Sequence, residues 1–272
     1  MTTMLAVEIR RYMARRLTRV LILLALLVSV IVAVSVYAVN DPLIEGQARF
    51  LEDGDPRGLT ALWPEENADE GILLNSTAFF LLVTGLIAAA SMIGAEWKAG
   101  TFTHLLTWEP RRPRVAAAKV MAAAILATAI AAGLLLCFSA AFLPTVLAKG
   151  TTEGADRSWF MSYLGGVVKI SAATGVAAVI GAGIAMIGRN TTAAVGAAFG
   201  YFTVAEPMVR GLKPQWQGWL LSENVVAFLT DGIEDPVTLS AGAAGLTIVA
   251  YATVIAVAAG ALFYRRDIAG AG

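Results

Sequence analysis

The chain is a succession of long apolar runs separated by short charged segments. A membrane-crossing helix needs about 20 apolar residues, so this pattern predicts an all-α membrane protein with six transmembrane helices. Together they would form a single transmembrane domain over residues 1–272. The predicted spans cover residues 17–39, 72–95, 115–148, 160–188, 191–206 and 238–263.

The fifth span is the shortest of the six, and we predict that Glu206-Pro207 interrupts it. A carboxylate at the bilayer centre would cost roughly 2.5–3.5 kcal/mol, which places Glu206 near the outer interface. The apolar piece at residues 220–229 is too short to cross a membrane. We therefore expect interfacial or re-entrant helices between the fifth and sixth spans, anchored by Trp216 and Trp219.

Residues 2–19 are basic, with five arginines interleaved with apolar side chains. Residues on one face of a helix recur every three or four positions, and this spacing is seen in Glu8, Arg11, Arg15 and Arg19. The spacing predicts an N-terminal amphipathic helix on the inner membrane surface, with its cations near anionic lipid head groups. The alternative is an ordinary basic flank that only fixes the orientation of the first span.

The composition and the distribution of charge predict which loops face the cytosol. The chain is 58% hydrophobic and 15% charged, against ~45–50% and ~25% in soluble domains. The predicted inner segments hold 13 basic and four acidic residues, and the outer segments seven basic and sixteen acidic ones. By the positive-inside rule, both termini and residues 96–119 are predicted to be cytosolic, and residues 40–71 and about 207–237 external. Membrane lipid is therefore an expected partner.

The charged island between the second and third spans covers residues 94–119. Thr101, which follows Gly100, is predicted to be the N-cap of a short amphipathic helix that Pro110 and Pro113 would end. The apolar side chains of that helix would lie exposed in the cytosol and would need a partner. They are Phe102, Leu105, Leu106 and Trp108. The alternative is that they fold back onto the bilayer interface, which Trp97 and Trp108 would suit.

Few residues in this chain could carry chemistry. The phosphate loop GxxxxGK[ST] and the hydrolase motifs HExxH and GxSxG are absent from the sequence, which has one cysteine and one histidine. We therefore expect no catalytic, cofactor-binding or metal-binding residues, and no enzyme activity. A proton- or sodium-driven carrier normally needs charges near the membrane midplane, and the spans offer at most Glu206 and Lys169. A secondary carrier is disfavoured for this reason.

The layout of spans and the central island resemble the ABC-2 type permeases, the membrane subunits of bacterial ABC exporters. That family shows an acid after the second span, then Gly-Thr, a Leu-Leu pair, Pro, Arg and a Lys that opens the third span. Here these positions hold Glu96, Gly100-Thr101, Leu105-Leu106, Pro110, Arg112 or Arg114, and Lys119. Residues 110–114 are more basic than the family pattern, and both arginines remain candidates for the one position.

The resemblance implies that the helix in the island is a coupling helix, which inserts into a groove on a separate cytosolic ATPase. It implies two ATPase copies that bind Mg-ATP, a second permease copy or a paralogue, and no cofactor or nucleic acid on this chain. The cargo would be hydrophobic or amphipathic and would be exported across a bacterial plasma membrane. The alternative is a non-transporting membrane scaffold or sensor subunit. The residues implied to couple to the ATPase are Glu96, Gly100, Thr101, Phe102, Leu105, Leu106, Pro110, Arg112 and Arg114.

Overall fold

A computed structural model describes residues 2–44, 55–64, 71–234 and 238–265. Much of the predicted acidic outer loop, at residues 45–54 and 65–70, lies outside the described residues, as does Arg266. The longer helices are α1 (Thr2–Ala14), α2 (Arg16–Val39), α3 (Phe79–Lys98), α4 (Thr101–Trp108), α5 (Arg112–Lys149), α6 (Arg157–Gly188), α7 (Thr191–Gly200), α8 (Glu206–Leu212), α9 (Leu221–Leu229) and α10 (Ala241–Arg265).

Shorter elements join some of these helices. They are 3-10 helices at Leu59–Leu62 and Pro214–Trp219, π-helical turns at Leu74–Ala78 and Tyr201–Ala205, and the strands β1 (Gly232–Ile233) and β2 (Leu239–Ser240). The two strands pair antiparallel, with Gly232 opposite Ser240 and Ile233 opposite Leu239. This ribbon, which the apolar pattern did not predict, leads directly into α10.

Five helices of the described chain are long and apolar enough to cross a membrane, and the fold is that of an all-α membrane protein. These helices confirm five of the six predicted apolar segments as helical. Their bounds are Arg16–Val39, Ser76–Lys98, Arg112–Lys149, Arg157–Gly188 and Ala241–Arg265.

The predicted interruption at Glu206-Pro207 is wrong, because helical structure continues from Thr191 to Leu212. A π-helical turn at Tyr201–Ala205 lies immediately before the proline, and the Glu206 N–H bonds the carbonyl of Tyr201, five residues back. A proline ring normally clashes with the carbonyl four residues before it. The wider π turn changes the backbone register at that point, so the helix can continue through Pro207.

Glu206 is buried, with 3% of its surface exposed, and it holds α8 against the start of α9. Its carboxylate accepts hydrogen bonds from the backbone N–H and the hydroxyl of Ser222. Arg210 lies 3.8 Å from the same carboxylate and 2.8 Å from that of Glu223. The short helices predicted before the last apolar helix are present as the 3-10 helix at Pro214–Trp219 and α9, and the buried Glu206 carboxylate holds the start of α9.

The described chain forms two compact units. The first unit comprises Met1–Thr18, Leu82–Thr128 and Ala173–Gly272. Its helices approach each other closely at glycine residues, which have no side chain. A Cβ added at Gly181 of α6 would lie 2.2 Å from the carbonyl oxygen of Leu86 in α3, and one at Gly94 would lie 2.3 Å from the backbone nitrogen of Thr191. These α3 contacts depend on the absence of side chains.

We expect Gly181→Ala to lower the stability of the protein by about 1–3 kcal/mol, because the added methyl group would overpack a backbone contact. The measurement is the thermal unfolding midpoint of the purified chain. Gly260→Ala in α10 is the matched control, since a Cβ there meets nothing within 4 Å. An equal midpoint for Gly181→Ala and Gly260→Ala would contradict this close helix contact.

The second unit comprises Arg19–Leu81 and Ala129–Ala172. Trp63 is buried in it, and its ring lies 2.5 Å from where a Cβ on Gly166 would be. The indole Nε1 of Trp159 donates to the Trp63 carbonyl at 3.0 Å. At the segment before Trp63, the Arg57 guanidinium hydrogen-bonds Asp55 and holds the pKa of that carboxyl below its usual range. These contacts fix residues 55–64 onto the ends of the neighbouring helices.

Candidate partner-docking site

The turn between α3 and α4 is made by Gly100, whose φ of 66° lies in the left-handed region that glycine adopts without strain. The Gly100 N–H bonds the carbonyl of Trp97, so this glycine ends α3 and α4 begins at the next residue. The prediction that Thr101 is the N-cap is therefore wrong. Thr101 is already helical, and the N-cap position is held by Gly100, without a side-chain hydrogen bond.

Phe102, in the first turn of α4, is buried with 1% of its surface exposed, so the prediction that it lies exposed is wrong. Its ring centroid lies 4.6 Å from that of Trp97 in α3 and 5.3 Å from that of Phe263 in α10. The Lys119 ammonium of α5 lies 5.4 Å from the Phe102 ring centroid. Aromatic contacts of this kind contribute about 0.5–1.5 kcal/mol each beyond their buried area. The first turn of α4 is thus attached to three long helices.

A buried ion-pair network lies beside this aromatic cluster. Lys119 is fully buried, and its ammonium lies 3.0 Å from the Glu8 carboxylate and 2.5 Å from that of Glu96. Arg11 lies 3.2 Å from Glu8 and 3.7 Å from Glu96. Two carboxylates and two cations therefore balance in one cluster, as a buried charge requires. Glu96 is thus held by two basic partners, Lys119 and Arg11.

The same network attaches α1 to α3 and α5. Glu8 and Tyr12, one helical turn apart on α1, are 1% and 2% exposed. The spacing of residues 2–19 predicted Glu8 on the same helix face as the arginines, but it did not indicate that Glu8 is a buried contact. Two signals could have indicated it, since Glu8 is the one acid in residues 2–19 and Lys119 stands within an apolar run. A lone charge of each sign in such surroundings suggests a pair.

The other end of α4 is open to solvent in the described chain. Trp108, its last residue, is 89% exposed, whereas Leu105 and Leu106 are half-buried. Glu109 follows in an extended conformation, and Pro110 ends the helix, as the sequence predicted. Pro113 does not end α4, because it lies in the first turn of α5. The helix therefore joins a buried first turn to an exposed aromatic tip.

The two candidate arginines stay close to the junction of α4 and α5. Arg112 donates from Nη1 to the carbonyl of Tyr264 at the end of α10, at 3.2 Å. Arg114 lies 3.4 Å from the carboxylate of Glu109. Of the predicted residues, Glu96 and Phe102 belong to the buried base of the site, and the leucines and arginines lie around its open end.

In this site, a movement of α4 would be passed to the helices that hold it. Its described residues connect an exposed apolar tip on α4 to α3, α5 and α10 through the aromatic cluster, and to α1 through ion pairs. No protein-family model and no curated protein matches this sequence.

Proposed function

We propose that this chain is the permease subunit of an ATP-driven ABC exporter of the ABC-2 type, with α4 as the helix that docks on a separate cytosolic ATPase. The observation that carries the proposal is Trp108, a large aromatic side chain that is 89% exposed at the end of a short helix with a firmly buried base. An exposed aromatic residue of this kind is a frequent anchor in protein interfaces. The resemblance of residues 96–119 to the coupling region of these permeases supports the same reading.

In this proposal the chain crosses the bacterial plasma membrane six times, with both termini in the cytosol. The fifth crossing, the one not made by any of the five long helices, would be made by α7, the π-helical turn and α8, which together form a helical segment from Thr191 to Leu212. A segment of that length could cross the hydrocarbon core at about 1.5 Å per residue. The excess of basic residues in the loop that carries α4 supports its cytosolic placement.

The proposed mechanism is transmission of movement through the base of α4. Two ATPase copies, each bound to one of two permease subunits, would close when they bind Mg-ATP and push on α4. Because Phe102 is packed against Trp97 and Phe263, a displacement of α4 would move the ends of α3 and α10 with it. The Glu8–Lys119 ion pair would add α1 to the moving group. The cargo, expected to be hydrophobic or amphipathic, would then be released outside.

The test is Trp108→Ala, which we expect to weaken ATPase docking by about 30-fold, as loss of a Trp hot spot of about 2 kcal/mol would. The fold should be unchanged, since the side chain makes few contacts within the described chain. The measurement is the amount of ATPase that copurifies with the chain, together with ATP turnover in nanodiscs.

Trp216→Ala is the matched control. Trp216 is also exposed, at 58%, but lies in the 3-10 helix after α8, on the side predicted to be external. Docking should be unaffected by that change. If Trp108→Ala and Trp216→Ala retain equal ATPase, α4 is not the docking helix, and the chain would be better explained as a scaffold or sensor.

A further inference from the structure

A polar groove of about 210 Å³ lies between α1, the end of α3 and the start of α4. Met92 and Ala95 of α3 contribute apolar surface to it, and Thr101 of α4 contributes a hydroxyl group. On the α1 side it is lined by Arg11, Tyr12 and Arg15, and Glu96 also borders it. The groove thus combines hydrogen-bond donors with an apolar wall.

The charge of this groove is positive. Its one carboxylate, Glu96, is already paired with Lys119 and Arg11. Arg11 and Lys119 also pair with Glu8, so these four charges cancel. The half-buried guanidinium of Arg15 adds a further positive charge. A guanidinium presents a planar fork of N–H donors that matches the oxygens of a phosphate group.

Tyr12 supplies a second hydrogen-bonding group to the groove. Its side chain is 2% exposed and lines the groove. A tyrosine hydroxyl can donate and accept a hydrogen bond, so on the wall of a groove it can bind a polar group. Burial raises the pKa of Tyr12 to about 12, so the phenol stays protonated and can donate.

We propose that this groove binds the phosphate of an anionic phospholipid, with the Arg15 guanidinium and the Tyr12 hydroxyl as donors. The exposed side of α1 favours a lipid as the source of the phosphate. Val7 and Met13 are 50% and 41% exposed there, as on a helix that lies at a membrane surface. The bound lipid would belong to the cytosolic leaflet, and this part of the assignment rests on the topology of the proposed function.

The experiment is native mass spectrometry of the full chain, purified without an ATPase and titrated with phosphatidylglycerol. Phosphatidylcholine, whose ammonium group cancels the phosphate charge, is the comparison lipid, and inorganic phosphate is the soluble competitor. We expect one tightly bound phosphatidylglycerol that inorganic phosphate does not displace. Arg15→Gln should weaken its binding about tenfold, and Tyr12→Phe, which keeps the buried ring, about threefold.

Arg10→Gln is the matched control, because Arg10 is exposed on α1 and does not line the groove. Its effect should be below about twofold, as for a surface charge. Equal loss of binding in Arg10→Gln and Arg15→Gln would overturn the proposal in favour of diffuse attraction. Equal binding of the two lipids would also overturn it.

Two further outcomes identify other occupants. Displacement of phosphatidylglycerol by inorganic phosphate would mean that the groove takes a soluble anion, which overturns the lipid assignment. In a separate copurification with the ATPase, loss of the ATPase in Arg15→Gln with lipid binding unchanged would assign the groove to the partner protein and overturn the lipid assignment. The titration uses the chain alone. Its result is therefore independent of whether an ATPase docks on α4.

Discussion

Replacement of Lys119 by alanine is expected to lower the free energy of unfolding by about 3–5 kcal/mol, the cost of leaving buried charges unpaired. The change removes the Lys119 ammonium, which lies within 3.0 Å of both Glu8 and Glu96, and Arg11 is farther from each. We expect α1 to detach first, because Glu8 is 1% exposed and would draw water to its carboxylate. The measurement is thermal unfolding in nanodiscs, with protease sensitivity of the N-terminal residues as a local readout.

Lys98→Ala is the control for loss of a lysine, since Lys98 is exposed at the end of α3. Its unfolding midpoint should match that of the unaltered chain. Much of the stability should return when Lys119→Met is combined with Glu8→Gln and Glu96→Gln, because no unpaired carboxylate then remains. A loss below about 1 kcal/mol in Lys119→Ala would show that water reaches these carboxylates.

Replacement of Phe102 by alanine is expected to cost about 3–5 kcal/mol, as for other buried phenylalanines. The cavity would separate α4 from Trp97 and Phe263, whose rings now contact Phe102. Trp108 would remain exposed, so in the proposed exporter the ATPase should still dock while its ATP turnover no longer drives transport. The measurements are unfolding, copurification and cargo release from vesicles, compared for one preparation.

Phe199→Ala in α7 is the control for loss of a phenylalanine, since Phe199 is 69% exposed. Phe102→Leu should be intermediate, with a loss of about 1.5 kcal/mol or less, because it keeps an apolar side chain of similar size. Transport that persists in Phe102→Ala at the rate of the Phe199→Ala control would mean that the aromatic cluster does not transmit the movement of α4.

The apolar pattern predicted the long helices because the length of an apolar run is a local property. It could not predict the side on which a short helix is buried. Phe102 is buried because Phe263, far along the chain, lies beside it. In the same way Glu8 and Lys119 are 111 residues apart in sequence, and neither residue alone indicates the other. The contacts that build the base of the site are therefore tertiary.

Two other errors had local causes. Gly100 can adopt the left-handed conformation that ends a helix, and this places the N-cap of α4 at Gly100 instead of Thr101. The break expected at Pro207 follows the usual rule for proline, but the π-helical turn at Tyr201–Ala205 provides the extra room. The exposed Trp108 and the end of α4 at Pro110 agree with the sequence because they depend on the few residues around them.

The balance of charge around Lys119 determines how the membrane voltage would act on this part of the molecule. Glu8, Glu96, Lys119 and Arg11 sum to zero, so a displacement that carries all four together moves no net charge through the electric field. One unpaired charge crossing the whole field would couple about 2.3 kcal/mol for each 100 mV. Displacement of these four side chains as one group is therefore largely independent of the membrane potential.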